Sequence, residues 1–233
     1  MIANPKNKIT PGQMLYFILS FILFPALILG LAGNWSWIEG WVFSIWFLVM
    51  TLSIGVYLQI YDPALLAERQ KVRADNQKGW DRYYLWVTYS LLLVWMLIMP
   101  LDNRFGWTTF HFPLWLKIFG GVALLPALYF LFRSVADNTF ASTLVRIQSE
   151  RKQQVVSTGV YGWVRHPMYL GNLLMLIGAP VMTGSGYGLL IGLISVLLMI
   201  GRIFGEEKML INELEGYRDY MKKVRFRLIP FLW

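Results

Sequence analysis

The chain has 233 residues, 57% of them hydrophobic, 16% aromatic and only 15% charged, with a formal net charge of +8 and a mean hydropathy of +0.51. A soluble domain carries about 25% charged residues, so this composition excludes the ordinary soluble, disordered and collagen-like classes and points to several bilayer spans. Cysteine is absent and histidine occurs only as His111 and His166, which excludes disulfides, thiolate metal ligation, a cysteine nucleophile and a histidine-rich metal site.

Six stretches approach the roughly 20 apolar residues that a helix needs to cross a hydrocarbon core. They are Met14–Ala32, Trp41–Ile60, Tyr83–Pro100, Leu114–Phe132, Met168–Val181 and Leu189–Phe204. The first is too long for a removable signal peptide and lacks a small-residue cleavage site, so it counts as a span. The fifth is short, and only residues 182–188 separate it from the sixth, which predicts a tight antiparallel hairpin. The predicted fold class is all-α, a polytopic transmembrane bundle of about six spans. Residues 1–132 form a four-span membrane region, and 133–233 combine the hairpin with two polar, basic segments where chemistry is expected.

The basic residues orient this bundle. Lys6 and Lys8, then Arg69 to Arg82, Arg133 to Arg165, and Arg202 to Arg227 place 19 of the 21 on one side, leaving Arg104 and Lys117 on the other. By the positive-inside rule both termini are cytoplasmic in an integral, multi-pass protein. The +8 then reads as topology and attraction to anionic lipid, with membrane lipids and no nucleic acid as partners. Trp35, Trp37, Trp41, Trp80, Trp86, Trp107 and Trp115 lie near span ends as an interfacial belt. Pro126 is expected to kink the fourth span.

Two motifs draw attention. Gly159-Val160-Tyr161 and Arg165-His166-Pro167-Met168-Tyr169-Leu170-Gly171 lead into the fifth span. A bland span entrance explains Arg165, Pro167 and the aromatics, but a helix N-terminus also offers free N–H groups, and Tyr161, His166 and Tyr169 add polar tips able to hold a ligand. Beyond the hairpin, Arg202 and Glu206 stand four residues apart, as in an intrahelical ion pair. An ionisable residue near a bilayer boundary usually faces the protein interior. A hairpin of this kind brings Arg202 and Glu206 back beside His166. After Glu207, the spacing of Leu210, Leu214, Tyr217, Met221 and Val224 predicts one amphipathic interfacial helix that also covers the site.

These motifs, with Glu206-Glu207, Tyr217-Arg218-Asp219-Tyr220 and Arg227-Leu228-Ile229-Pro230 following in order, resemble the isoprenylcysteine carboxyl methyltransferase family. That family belongs with the phospholipid methyltransferases among integral-membrane enzymes using S-adenosylmethionine. The segments Asp62–Arg69 and Gly79-Trp80-Asp81 resemble a loop of its bacterial members, which implies a bacterial inner membrane. The resemblance implies that Tyr161, His166, Pro167, Met168 and Tyr169 line the cofactor pocket with Glu206, that Gln148 and Gln153-Gln154-Val155-Val156 form an upstream cofactor-binding stretch, and that Arg202 holds the substrate carboxylate by two hydrogen bonds. The lipophilic substrate is expected to enter sideways from the bilayer. Two rivals stand beside this reading. One is amine or thiol methylation, of a phospholipid headgroup or a small thiol, in which His166 or Glu207 serves an amine acceptor as base. The other is a non-catalytic transporter or scaffold. The methyl acceptor, the host and the oligomeric state are not legible in the sequence.

Overall fold

The computed structural model describes residues 10–233; Lys6 and Lys8 of the expected basic N-terminus lie outside the described residues. All regular secondary structure among these residues is helical. It runs α1 (Pro11–Ala32), α2 (Ile38–Tyr61), α3 (Pro63–Arg69), α4 (Gly79–Phe105), α5 (Leu114–Asp137), α6 (Pro167–Thr183), α7 (Gly186–Glu213) and α8 (Tyr217–Lys223), with two 3₁₀ turns at Ser149–Arg151 and Gly159–Gly162. Five helices, α1, α2, α4, α5 and α7, are long and apolar enough to cross a membrane. The 17 residues of α6 reach only about 25 Å, short of a hydrocarbon core roughly 30 Å thick.

Side-chain contacts fix which helix ends lie together. At one end, the amides of Gln13 and Gln59 bond each other at 2.7 and 2.9 Å, and the Tyr57 hydroxyl donates to the Ala136 carbonyl. Lys78 reaches Glu213 at 2.6 Å on the same face. At the other end, Asp102 accepts from the Thr108 and Ser185 hydroxyls, each at 2.6 Å, while Lys117 pairs with Glu39. The two ends of the described chain therefore share a face, and Arg104 and Lys117 occupy the opposite one, as the charge pattern predicts.

The α6–α7 turn is tighter than residues 182–188 suggest. It consists of Gly184, in the left-handed region at φ 76°, and Ser185, whose hydroxyl caps α7 by accepting from the Gly188 N–H. Small residues then let the helices touch, as is common between membrane helices. A Cβ built on Gly192 would stand 2.2 Å from the Leu176 carbonyl. Gly192→Ala is expected to cost roughly 1–3 kcal/mol through overpacking, seen as a lowered thermal midpoint in detergent, because backbone cannot yield as a flexible side chain can.

The largest apolar core draws Phe43, Trp46, Trp95 and Leu124 together with Leu170, Met175, Met199 and Ile203. It seats the hairpin, and hence Arg202 and Glu206, against α2, α4 and α5. α5 is uninterrupted through Pro126, so the expected kink does not break the element. Trp37 departs from the interfacial belt: it is buried with Ile28, Leu29 and Ala32, while the other six tryptophans of the belt are exposed.

The amphipathic helix expected after Glu207 is two helices. α7 continues to Glu213, Gly216 turns the chain in the left-handed region at φ 79°, and α8 follows. A side chain at φ 79° would be strained, so the glycine breaks a periodicity that hydrophobic spacing alone carries across it. Tyr217, Tyr220 and Val224 pack inward on Val155, Leu210 and Leu214.

Candidate active site

A cleft of about 180 Å³ opens on the face that carries most of the basic residues, between the segment 138–156, the start of α6, the last turns of α7, and α8. Gln153, Gln154, Val155, Val156, Tyr161, His166, Pro167, Met168, Tyr169, Arg202 and Glu206 all line it. The expectation that the two polar segments close over the hairpin into one cup holds.

Local chemistry explains how α6 presents these groups. Pro167 occupies the first helical position, where its missing N–H has no partner to lose. The preceding residues are pinned by the C-terminal tail: the N–H groups of Arg165 and His166 donate to the carbonyls of Phe226 and Arg227, both at 2.9 Å. His166 stacks on Tyr169 with ring centroids 5.5 Å apart. One turn of chain thus places His166, Met168 and Tyr169 together along the cleft.

The opposite wall is α7. The Tyr169 hydroxyl donates to Glu206 at 2.6 Å. Arg202 does not pair with Glu206. It donates through Nε and Nη2 to Asp81, at 3.1 and 2.9 Å, and through Nη2 to the Thr143 carbonyl at 2.6 Å. Its Nη1 has no acceptor among the described residues, so the fork expected to grip a carboxylate has one edge already engaged. Tyr84 and Tyr169 lie under the guanidinium at 4.8 and 6.0 Å. Asp81, wholly buried, also accepts from the Gln77 amide and the Val145 N–H. It ties α4, α7 and the 138–146 wall together.

Two expected site residues lie elsewhere. Gln148 is buried behind the cleft, where its amide donates to the Phe140 carbonyl and its oxygen accepts from Arg151 at 2.7 Å. It braces the wall without lining it. Glu207 does not line the cleft; its carboxylate is held by Arg165 at 2.7 Å and Arg227 at 2.7 Å, with the His166 ring at 3.3 Å. With both oxygens engaged, it is a clamp between α6, α7 and the tail, and a poor base.

A second clamp steadies the outer wall. Arg146 grips both oxygens of Glu68, each at 2.8 Å, and also pairs with Glu150. The guanidinium hydrogen bonds outweigh burial and hold Glu68 down to about 2. At the cleft itself, burial pushes the Tyr161 phenol up while its hydroxyl donates to the Ser134 carbonyl. Asn138, Asn172, Arg165 and Tyr217 also line the cleft and were not singled out as site residues from sequence. Asn138 and Asn172 carry no sequence signal beyond being polar beside a span. Tyr217 had one, since it sits in the Tyr-x-x-Tyr motif.

Residues 115–215 match the family model for phospholipid methyltransferases. Over 105 residues the chain is 36% identical to the protein-S-isoprenylcysteine O-methyltransferase of Saccharomyces cerevisiae, covering 43% of this chain and 44% of that one. Through this region the chain is similar to the phospholipid methyltransferases. The matched segment begins in α5, ends just past α7, and contains most of the cleft lining. The chain is also 27% identical over 164 residues to the mouse Delta(14)-sterol reductase TM7SF2, covering 64% of this chain and 37% of the relative. The chain therefore spans less than half the length of either curated relative. The structure of the eukaryotic intramembrane Ras methyltransferase, isoprenylcysteine carboxyl methyltransferase, superposes with a TM-score of 0.56 at 19% identity, over 93% of this chain and 77% of that one. That similarity establishes a common helical membrane fold.

Proposed function

We propose that the chain is an integral-membrane methyltransferase that uses S-adenosylmethionine and acts on a lipophilic acceptor, the carboxylate of an isoprenylcysteine-type substrate. The observation that carries this reading is the shared cleft, which Arg202, Glu206, Tyr169 and the entrance to α6 line together, with Nη1 of Arg202 unpartnered among the described residues. The sterol and the isoprenylcysteine in the names of its relatives support an apolar acceptor arriving from the bilayer. In this reading residues 1–132 are mainly the membrane scaffold, 133–233 the catalytic region, and the cleft faces the cytoplasm of a bacterial cell across its inner membrane.

The residues present fit the cofactor. The carboxylate of Glu206 faces the cleft with a phenol and no cationic partner among the described residues, which suits a ligand bearing a sulfonium and an ammonium. The N–H groups of Met168 and Tyr169, in the first turn of α6, have no intrahelical acceptor. When bound, the cofactor supplies an electrophilic methyl group. Glu206 and Tyr169 would hold its cationic end, and Nη1 of Arg202 would hold an acceptor oxygen by a charge-assisted hydrogen bond. Alignment is the main demand, since an anionic nucleophile needs no base. A nucleophilic anion meeting a cation loses charge on the way to neutral products, and a cleft walled by Val155, Val156, Met209 and Leu210 favours that step by limiting water. Glu207, locked by its three partners, is not available to deprotonate an amine, which leaves the amine reading with His166 as its base.

Membranes containing the protein, incubated with methyl-labelled cofactor and a prenylated cysteine bearing a free carboxylate, test the reading. Label is expected in the lipid-soluble fraction and is released as methanol by mild base, as a methyl ester requires. Base-stable label in lipid would move the assignment to an amine, and base-stable label in a thioether to a thiol. Failure to transfer label to any of the three would remove methyl transfer altogether.

A further inference from the structure

Seven buried side-chain polar atoms lack a hydrogen-bond partner among the described residues, and of their owners only Tyr217 lines the cleft. The contrast with its neighbours is sharp. Tyr161, Tyr169 and Tyr220 line the same cleft, and their hydroxyls donate to the Ser134 carbonyl, to Glu206 and, at 2.7 Å, to the Tyr161 carbonyl. Tyr217 is 4% exposed, its ring packs on Tyr220 at 5.6 Å, and its hydroxyl is left with nothing to bond. A buried, unsatisfied hydroxyl costs stability, so one that persists beside a cavity calls for an occupant.

The surroundings narrow the occupant's chemistry. Burial pushes the Tyr217 phenol up, and the charges of Glu207 and Glu206 push in the same direction. It therefore stays protonated and offers a donor. The cleft wall around it is apolar, with Val155, Leu210 and Leu214 packed against the cluster of Tyr217, Tyr220 and Val224, and such a wall disfavours a charged group, so the acceptor it meets is neutral. S-adenosylmethionine carries neutral acceptors on its purine and ribose, whereas its amino-acid end carries a carboxylate.

We infer that Tyr217 is a cofactor-binding residue whose hydroxyl donates to a neutral acceptor on the nucleoside half of the bound cofactor. This rests on the methyltransferase reading above. α8 then holds the cofactor in place directly, and Gly216, by turning the chain between α7 and α8, sets the Tyr217 ring over the cleft.

Tyr217→Phe deletes only the oxygen. Calorimetry on the full-length protein in detergent, with S-adenosylhomocysteine and with 5′-methylthioadenosine, which keeps the nucleoside but lacks the amino acid, is expected to show both binding about five- to tenfold more weakly than to wild type. The ligand-free variant is expected to melt no lower than wild type, because an unsatisfied group has been removed. Unchanged affinity for both ligands with a lowered melting point would make the hydroxyl structural and overturn the inference. A loss confined to S-adenosylhomocysteine would place the contact at the amino-acid end and overturn the nucleoside assignment. If wild type bound neither ligand, the methyltransferase reading itself would fall, an outcome distinct from both.

Discussion

Glu207→Gln is expected to destabilise the protein by roughly 3–5 kcal/mol, the usual cost of removing one partner from a buried ionic cluster. The carboxylate is 3% exposed and carries three partners. A neutral amide leaves the guanidinium of Arg165, itself buried, without its counter-charge. The geometry worsens the loss, since Arg165 also donates to the carbonyls of Val224 and Arg225. The tail that pins the start of α6 is therefore released along with the charge. The fall appears in the thermal midpoint of detergent-purified protein. Glu206→Gln is the matched comparison: Glu206 is half-buried, bonds only Tyr169 among the described residues, and its change is expected to weaken cofactor binding with little effect on melting. Should Glu207→Gln melt like wild type while losing turnover, Glu207 would return to the chemistry as a base.

Arg202→Lys is expected to lower turnover by roughly 100-fold, the scale on which loss of one well-aimed donor to a reacting oxygen is felt, while the affinity for S-adenosylhomocysteine changes by less than about threefold. The planar guanidinium engages Asp81 along one edge and the Thr143 carbonyl beside it, and its Nη1 has no partner among the described residues. An ammonium has no such divided geometry. Drawn to Asp81, it has no fixed donor left to aim. Turnover under saturating cofactor, set beside calorimetric affinity, separates the two roles. A variant that kept its turnover but lost the cofactor would move Arg202 from the acceptor side to the cofactor side.

Arg202 also marks how far sequence reading reaches. Its spacing from Glu206 suggested an intrahelical pair, whereas its counter-charge sits 121 positions earlier in the chain. Asp81 is wholly buried, yet in sequence it is an ordinary acid in the first turn of a helix. Gln148 and Glu207 flank the true lining residues in the chain, and only their partners in the fold, Phe140 and Arg151 for the first and Arg165, His166 and Arg227 for the second, distinguish the brace and the clamp from the groups that line the cleft. Trp37 likewise looks interfacial until α1 covers it.

The amino-acid order by itself determined the helical class, five of the six expected crossing segments, the side on which the basic residues collect, the α6–α7 hairpin and most of the cleft lining. These depend on apolar runs, charge placement and turn chemistry within a few tens of residues, and a bilayer enforces them almost independently of packing. Only the tertiary structure decided which acid answers Arg202, why Glu207 is sequestered, where the last helix breaks at Gly216, and which tyrosine hydroxyl is left free. Those outcomes depend on which helix ends meet: a charge or a hydroxyl takes the partner that close-packed neighbours bring within 3 Å, however far away it lies along the chain.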